Sequence, residues 1–376
     1  MAKRAVCVSC FDFYDHRVEL VMDQLREMGY ACTYITGDYD HFKRQPHTIS
    51  MPDGEMVHAP AYRRNISFAR IRSHRVFARN VFRRVEELQP ELIYSMVPPN
   101  SLARAAAQYK KKHPDVRIVL DLYDLWPETF PSNRVKQLAA PLFALWGRER
   151  DIGLAAADRI YTECDLFRQV LRRQLEGKDV RTLPICREGL TLQGEPRAPE
   201  GETLALCYLG SINALIDIEA IAALLRELTG LRPVTLHIIG EGDTREAFVQ
   251  AAQTAGAQVE YHGRIYDPAA RQAIFDQCHF GINVMKSSVC VGLTMKSLDY
   301  FAAGLPILNT IEGDTRALIG EYGAGIELNR EDPGETARAL AAVTTEQNAA
   351  MRRGTVRMFT EHFSVAAVRD ILKDLK

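Results

Sequence analysis

No apolar run in the 376 residues approaches the ~20 needed to cross a bilayer as a helix. The N-terminal stretch MAKRAVCVSCFDF has neither the apolar h-region nor the small-residue cleavage site of a secretory signal, and reads as a buried strand instead. Cysteine is thinly spread: Cys7, Cys10, Cys32, Cys164, Cys186, Cys207, Cys278 and Cys290 do not cluster as in a small disulfide scaffold. These absences predict a soluble, cytoplasmic protein with reduced thiols. Excess charge is missing as well. A formal net charge of −1 and an isoelectric point near 6.8 argue against a dedicated nucleic-acid binder. No short-period repeat is present, and with 47% hydrophobic and 25% charged residues the composition excludes disorder, collagen and coiled coil.

What is present is enough chain for two cores. Residues 1–190 hold 30 basic and 24 acidic side chains, a net +6, whereas 191–376 hold 17 and 24, a net −7. A basic half beside an acidic half suggests that one half faces an anionic surface or ligand. The first half alternates apolar, β-branched runs with helical periods: AVCVSC (5–10), ACTYITGD (31–38), LIYSM (92–96), RIVLDLYD (117–124) and RIYTEC (159–164). The turn-rich stretch 184–203 then breaks the pattern with three Pro and three Gly. A second series follows: LALCYLG (204–210), VTLHIIG (234–240), QVEYHG (258–263), HFGINVM (279–285), LPILN (305–309) and AGIEL (324–328). The expectation is an α/β protein of parallel β-α-β units in two Rossmann-like domains across a cleft. The boundaries are 1–185, a linker at 186–203, a second domain at 204–355 and a C-terminal helix at 356–376 packing back on the first.

The most informative stretch is 281–310, GINVMKSSVCVGLTMKSLDYFAAGLPILNT. A strand, a Gly-containing loop and a helix over roughly 294–303 place helix-start amides and Lys296 together, which makes an anion site. Asp299, one turn on, can accept from a ribose diol, although Lys then Asp three apart is also an ordinary helical ion pair. The G-L-x-x-K-x-x-D-Y-x-A-x-G-x-P spacing resembles the donor-site signature of family-4 glycosyltransferases with the GT-B fold, in the bacterial capsule and exopolysaccharide branch. The resemblance implies that Asp299 is the ribose ligand and that Gly292, Leu293, Thr294 and Lys296 face the diphosphate and sugar. Thr294 replaces the usual Pro and Asp299 the usual Glu. Val291 stands where members with two glutamates carry the first.

The resemblance extends through 204–310. It implies base-lining roles for Arg264 and Ile265, the latter through its backbone, and a turn at Gly240 in VTLHIIGEG. Gly210, Ser211 and Asn213 follow the first donor-domain strand, where relatives place basic residues that GSINALID lacks. The phosphate charge then falls to Lys296, Lys286 and backbone amides. In the first half, DLYDLWPETF (121–130) resembles the D-L-W-P-E stretch beside the acceptor. It makes Asp124 and Glu128 acceptor-side candidates, with Asp121 turned into the sheet. His16 and Arg17 begin the first helix and are expected to face the cleft, with His16 a candidate for contact to donor phosphate or acceptor. Members of the fold use helix dipoles and cations in place of a metal, so none is expected, and the only co-substrate is a nucleotide sugar, UDP-linked by the resemblance.

Arg72, Arg75, Arg79 and Arg83 fall on one stripe of a helix over 67–88, with Ile71, Ala78, Val81, Val85 and Leu88 on its buried side. Such a stripe suits either an anionic membrane surface at the inner face of the membrane or ordinary solvation. Cys7 and Cys10 read as core cysteines, and the sequon at Asn65 has no meaning without secretion. The function expected is a retaining, metal-independent glycosyltransferase acting on a lipid-linked or glycan acceptor. The alternatives are a non-catalytic nucleotide-sugar-binding partner of another transferase and a nucleotide-sugar epimerase on the same fold.

Overall fold

The computed structural model describes residues 3–11, 14–40, 45–49, 51, 53–63, 67–130 and 140–375. Asn65 lies outside them. The chain divides into two compact units, Met1–Ile185 with Val368–Lys376, and Cys186–Ala367.

The first unit holds β1 (Lys3–Val8), β2 (Tyr30–Gly37), the two-residue pair β3 (Tyr39–Asp40) and β4 (Gln45–Pro46), β5 (Gly54–Val57), β6 (Leu92–Val97), β7 (Arg117–Leu122), β8 (Arg159–Thr162) and β9 (Val180–Thr182). Seven of them form one sheet in the order β5-β2-β1-β6-β7-β8-β9, with every pairing parallel. The strands read as near-continuous apolar runs because helices cover a parallel sheet on both faces. Its helices are α1 (Asp15–Glu27), α2 (Phe68–Leu88), α3 (Asn100–Lys112), α4 (Ala140–Ala156) and α5 (Asp165–Val170). α1 buries Val18, Val21, Met22 and Leu25 and stops before Gly29, whose φ of +86° a side chain would resist.

The second unit holds β10 (Leu204–Leu209), β11 (Val234–Ile239), β12 (Gln258–Gly263), β13 (Phe280–Asn283), β14 (Ile307–Asn309) and β15 (Gly325–Glu327), in the order β12-β11-β10-β13-β14-β15 and again all parallel. Its helices are α6 (Ile218–Thr229), α7 (Arg245–Thr254), α8 (Pro268–Phe275), α9 (Met295–Ala302), α10 (Asp314–Tyr322), α11 (Pro333–Ala342) and α12 (Thr345–Met358). Leu206, Tyr208, Leu236, Ile238, Phe280 and Ile282 form the centre of the core with Leu224, Leu225 and Phe248.

Two expectations need correction here. The C-terminal segment is not one helix: α12 passes into a π-turn at Phe359–Phe363, and α13 (Val365–Leu372) starts afresh after Ser364. Ser364 is extended, and its hydroxyl accepts from the Ala367 amide, which ends one helix and begins the next. The buried side of α2 is also rotated from the expected one. Arg70, Ser73, His74 and Phe77 join Ala78, Val81 and Val85, while Ile71 and Leu88 are only half-buried. Arg70 can turn inward because its guanidinium lies 4.0 Å over the Trp126 ring.

Candidate functional site

Open parallel sheets bind ligands beyond the carboxyl ends of their strands, where the strand order reverses. In the second unit the order reverses between β10 and β13. The sequence-predicted donor residues collect along that edge: Gly210, Ser211 and Asn213 after β10, Gly240 after β11, Arg264 and Ile265 after β12, and Lys286 after β13. The loops after β10 and β13 are tied together by the Lys286 amide, which donates to the Leu215 carbonyl at 2.9 Å, and by a bridge between Ile216 and Met285.

α9 is anchored at this reversal by a polar network inside an apolar core. Thr294 caps the helix reciprocally with Ser297, and its hydroxyl donates to Asn283 Oδ1 at 2.8 Å. Asn283 in turn donates to Asn309, and Asn309 to Glu327. The Tyr300 ring covers Gly281, where a Cβ would come within 2.7 Å of it, and the Leu209 amide at the end of β10 donates to the Tyr300 hydroxyl at 2.7 Å. These bonds fix the first-turn amides of Met295 and Lys296, which have no acceptor within the helix. Lys296 is half-buried, with its ammonium 4.6 Å from the centre of the Tyr208 ring. Among the described residues no carboxylate pairs with it, and burial pushes its pKa down to about 8.

The other motif positions are placed as follows. The Leu293 and Thr294 side chains are buried, and the Thr294 hydroxyl is engaged in the cap of α9. Gly292 accepts through its carbonyl from the Thr315 amide and hydroxyl. Asp299 pairs with Arg187 at 3.0 Å and Arg271 at 3.6 Å. Neither arginine carries a sequence signal, since one lies in the turn-rich segment and the other on α8. Asn213 is partly engaged, its Oδ1 accepting from the Leu215 amide, while Ser211, Arg264 and Lys286 are exposed. Gly240, at φ +149°, lies so close to Gly210 that a Cβ would overlap the Gly210 carbonyl, and Gly242 packs likewise on Ile212. The G-x-G turn is thus required for loop packing.

In the first unit the corrections are larger. Arg17 is buried, not open: it donates to Asp121 at 2.6 and 2.8 Å and to the Leu183 and Pro184 carbonyls. The fully buried Asp121 also accepts from the Tyr94 hydroxyl. Glu128 accepts two bonds from the buried Arg150, at 2.6 and 3.0 Å, so its carboxylate holds the D-L-W-P-E loop rather than standing free. Asp124 accepts from the Leu125 amide and the Thr129 hydroxyl, both at 2.7 Å, and burial still holds its pKa above the usual carboxylate range. His16 is exposed on the first turn of α1. Trp126, which carries no sequence signal of its own, stacks with His74, lies under the Arg70 guanidinium and meets Trp146 at a tilt. Cys7 and Cys10 are buried thiols with raised pKa values, pushed up by desolvation.

Residues 204–346, less than half of the chain, match the family described as glycosyl transferases group 1. No curated protein matches the chain in sequence. Among solved structures it is similar to sucrose-phosphate synthase from Thermosynechococcus elongatus, at 12% identity over 99% of this chain and 98% of that one, with a TM-score of 0.73. Anabaena HepE in complex with UDP matches at 12% identity over 99% of both chains, with a TM-score of 0.69. WaaG, a glycosyltransferase involved in lipopolysaccharide biosynthesis, matches at 12% over 99% of this chain and 100% of that one, with a TM-score of 0.59. At such identities the likeness establishes the fold: the chain has the GT-B fold of two Rossmann-like units.

Proposed function

We propose that the protein is a retaining glycosyltransferase of the capsule or exopolysaccharide branch, moving a sugar from a UDP-linked donor to a lipid-linked or polysaccharide-precursor acceptor. The observation that carries the reading is Lys296: a half-buried ammonium with no carboxylate partner among the described residues, beside the amides that begin α9 without an acceptor inside the helix, at the reversal of a parallel sheet. A group so placed gains most when an anion arrives. The family match over 204–346 and the UDP bound to Anabaena HepE support a nucleoside diphosphate as that anion.

The chemistry follows from where charge grows. As the bond from the anomeric carbon to the diphosphate breaks, negative charge collects on the leaving oxygen, and Lys296 with the helix-start amides stabilises it. The acceptor oxygen attacks the same face, and its proton passes to the departing phosphate, so no enzymic nucleophile is needed. Asp299 reads the ribose diol, since a carboxylate has about four acceptor positions and its two arginine contacts leave room. Gly210, Ser211, Asn213, Gly240 and Lys286 border the phosphates, and Arg264 and Ile265 the base. On the acceptor side Asp124 and His16 are the candidates for handling the hydroxyl. The exposed Arg72, Arg75, Arg79 and Arg83 favour residence at an anionic membrane surface.

A second reading, a non-catalytic nucleotide-sugar-binding partner, draws on Arg17 and Glu128, both already committed to ion pairs. One experiment separates them. The purified protein is incubated with UDP-sugars and lipid-linked acceptors, and the product's anomeric configuration is read by NMR. Transfer with retention is expected. Hydrolysis of UDP-sugar with no carbohydrate product for any acceptor would refute transfer, and binding without turnover would favour the second reading.

A further inference from the structure

We propose that His237, Glu260 and His262 hold a divalent transition-metal ion, zinc in the cell, that fastens the edge strand β12 to β11. The three residues lie on the two outermost strands of the second sheet, where β12 is bonded to β11 alone. His237 is directly opposite Glu260 in the ladder, so both point to one face. The register then slips by one residue: Tyr261 faces Ile238 and Gly263 faces Ile239, leaving His262 as the extra residue of a bulge. A bulge of this kind re-aims a side chain, and here it brings the His262 ring to His237.

The donor atoms converge. His237 Nδ1 lies 3.1 Å from His262 Nε2 and 3.4 Å from Glu260 Oε2, and the three donors are all within 4.8 Å of one another. Two nitrogens at ~2.0–2.1 Å from a tetrahedral zinc sit roughly 3.3–3.4 Å apart, close to the spacing found here, and turning the two rings aims both lone pairs at one point. The rings are nearly parallel, 4° between planes, and meet edge to edge with centres 5.4 Å apart. Without an ion, one ring N–H donates to the lone pair of the other; when a cation enters, that ring takes its other tautomer, the proton moving through solvent to its second nitrogen, and both facing nitrogens offer lone pairs. Two imidazoles and one carboxylate suit zinc, whereas magnesium and calcium prefer all-oxygen sets. His237 is buried, so its ring is held in place by the surrounding sheet. Glu260 is 44% exposed on its side chain, which gives the ion and a fourth, water ligand a way in. Among the described residues no other set of three His, Cys, Asp or Glu donors converges in this way. The ion's place is structural: β12 leads straight into Arg264 and Ile265, and fastening it fixes the start of that loop.

The test uses the untagged full chain, stripped of metal with a chelator. It is titrated with Co2+ by visible absorption and with Zn2+ against a chromophoric chelator. One equivalent should bind, without a thiolate-to-cobalt charge-transfer band, and Zn2+ should raise the thermal midpoint. H262Q should weaken binding more than about 100-fold, and E260Q, an isosteric change at an exposed side chain that leaves the strand intact, by about tenfold. Less than one equivalent in the wild type, a thiolate band, or unchanged affinity in both variants would overturn the proposal.

Discussion

At the scale of single residues, a desolvated ammonium costs free energy until an anion shares its surroundings. Lys296 is in that position, with a pKa of about 8 against an ordinary 10.5. The folded chain therefore binds fewer protons than the unfolded one between pH 8 and 10.5, and stability rises with pH across that window. A shift of this size corresponds to at most about 3 kcal/mol. Lys296→Met should make the ligand-free protein more stable at pH 7 and remove its share of the rise, read by urea denaturation at steps from pH 7 to 10. Equal pH slopes in both proteins would show that the ammonium is solvated. Donor affinity should move the other way. Binding a diphosphate needs the charged amine, so the affinity of the wild type should fall as pH passes 8, whereas that of the Met variant should be weak throughout. Asp299→Asn should weaken UDP binding about tenfold or more, because hydrogen bonds to a charged group contribute ~1.5–3 kcal/mol. Unchanged affinity by calorimetry would leave Asp299 only its role of holding Arg187 and Arg271.

At the scale of elements, the site edge is built from loops that touch through glycines. Gly240 is both at positive φ and against the Gly210 carbonyl, whereas Gly263, at φ +66°, has open space around its Cβ position. Gly240→Ala should cost at least about 2 kcal/mol from overlap and strain together, and Gly263→Ala about 1 kcal/mol from strain alone. Similar losses in chemical denaturation would mean that the two loops part easily. The same elements show what the sequence makes legible. The strands β1, β6, β7, β10 and β11 are readable because both faces of each are covered, which leaves apolar, β-branched runs. α9 is readable because its cap, its lysine and its closing glycine are local. β5 and β9 are not legible in the sequence, being short edge strands without such runs. The ion pairs Arg17–Asp121 and Arg187–Asp299 join residues 104 and 112 positions apart, and no periodicity within either segment points to the other. His237 and His262 read as ordinary strand residues until the fold brings their ring edges together. The pairing of Glu128 is hidden from the sequence for a related reason: its partner Arg150 is on α4, 22 residues away.

At the scale of the molecule, the charge imbalance between the halves can be set against the surface that carries it. The four arginines of the α2 stripe are exposed, and Phe68 at the start of the same helix is 78% exposed, an apolar side chain beside cations. On the proposed reading, that combination docks on an anionic bilayer by attraction of the cations and shallow burial of the ring. Arg75 differs from the other three, because it pairs at 2.8 Å with Glu149, which is nearly buried. Removing it would strip the carboxylate of its closer partner and mix a folding defect with a binding one. The cleaner variant changes Arg72, Arg79 and Arg83 to Gln and leaves Arg75. At ~1 kcal/mol per arginine near such a surface, it should weaken sedimentation with phosphatidylserine-containing vesicles by roughly 100-fold or more. Binding by the wild type should itself weaken as salt rises, since screening at physiological ionic strength acts over ~8 Å. UDP affinity should be untouched, because every residue proposed for the donor side belongs to the other unit. Transfer to a short, water-soluble acceptor should survive, while transfer to a lipid-linked acceptor in vesicles should fall. If the wild type ignores anionic vesicles at low salt, the stripe is a solvated helix face, and the basic balance of the first half needs another partner.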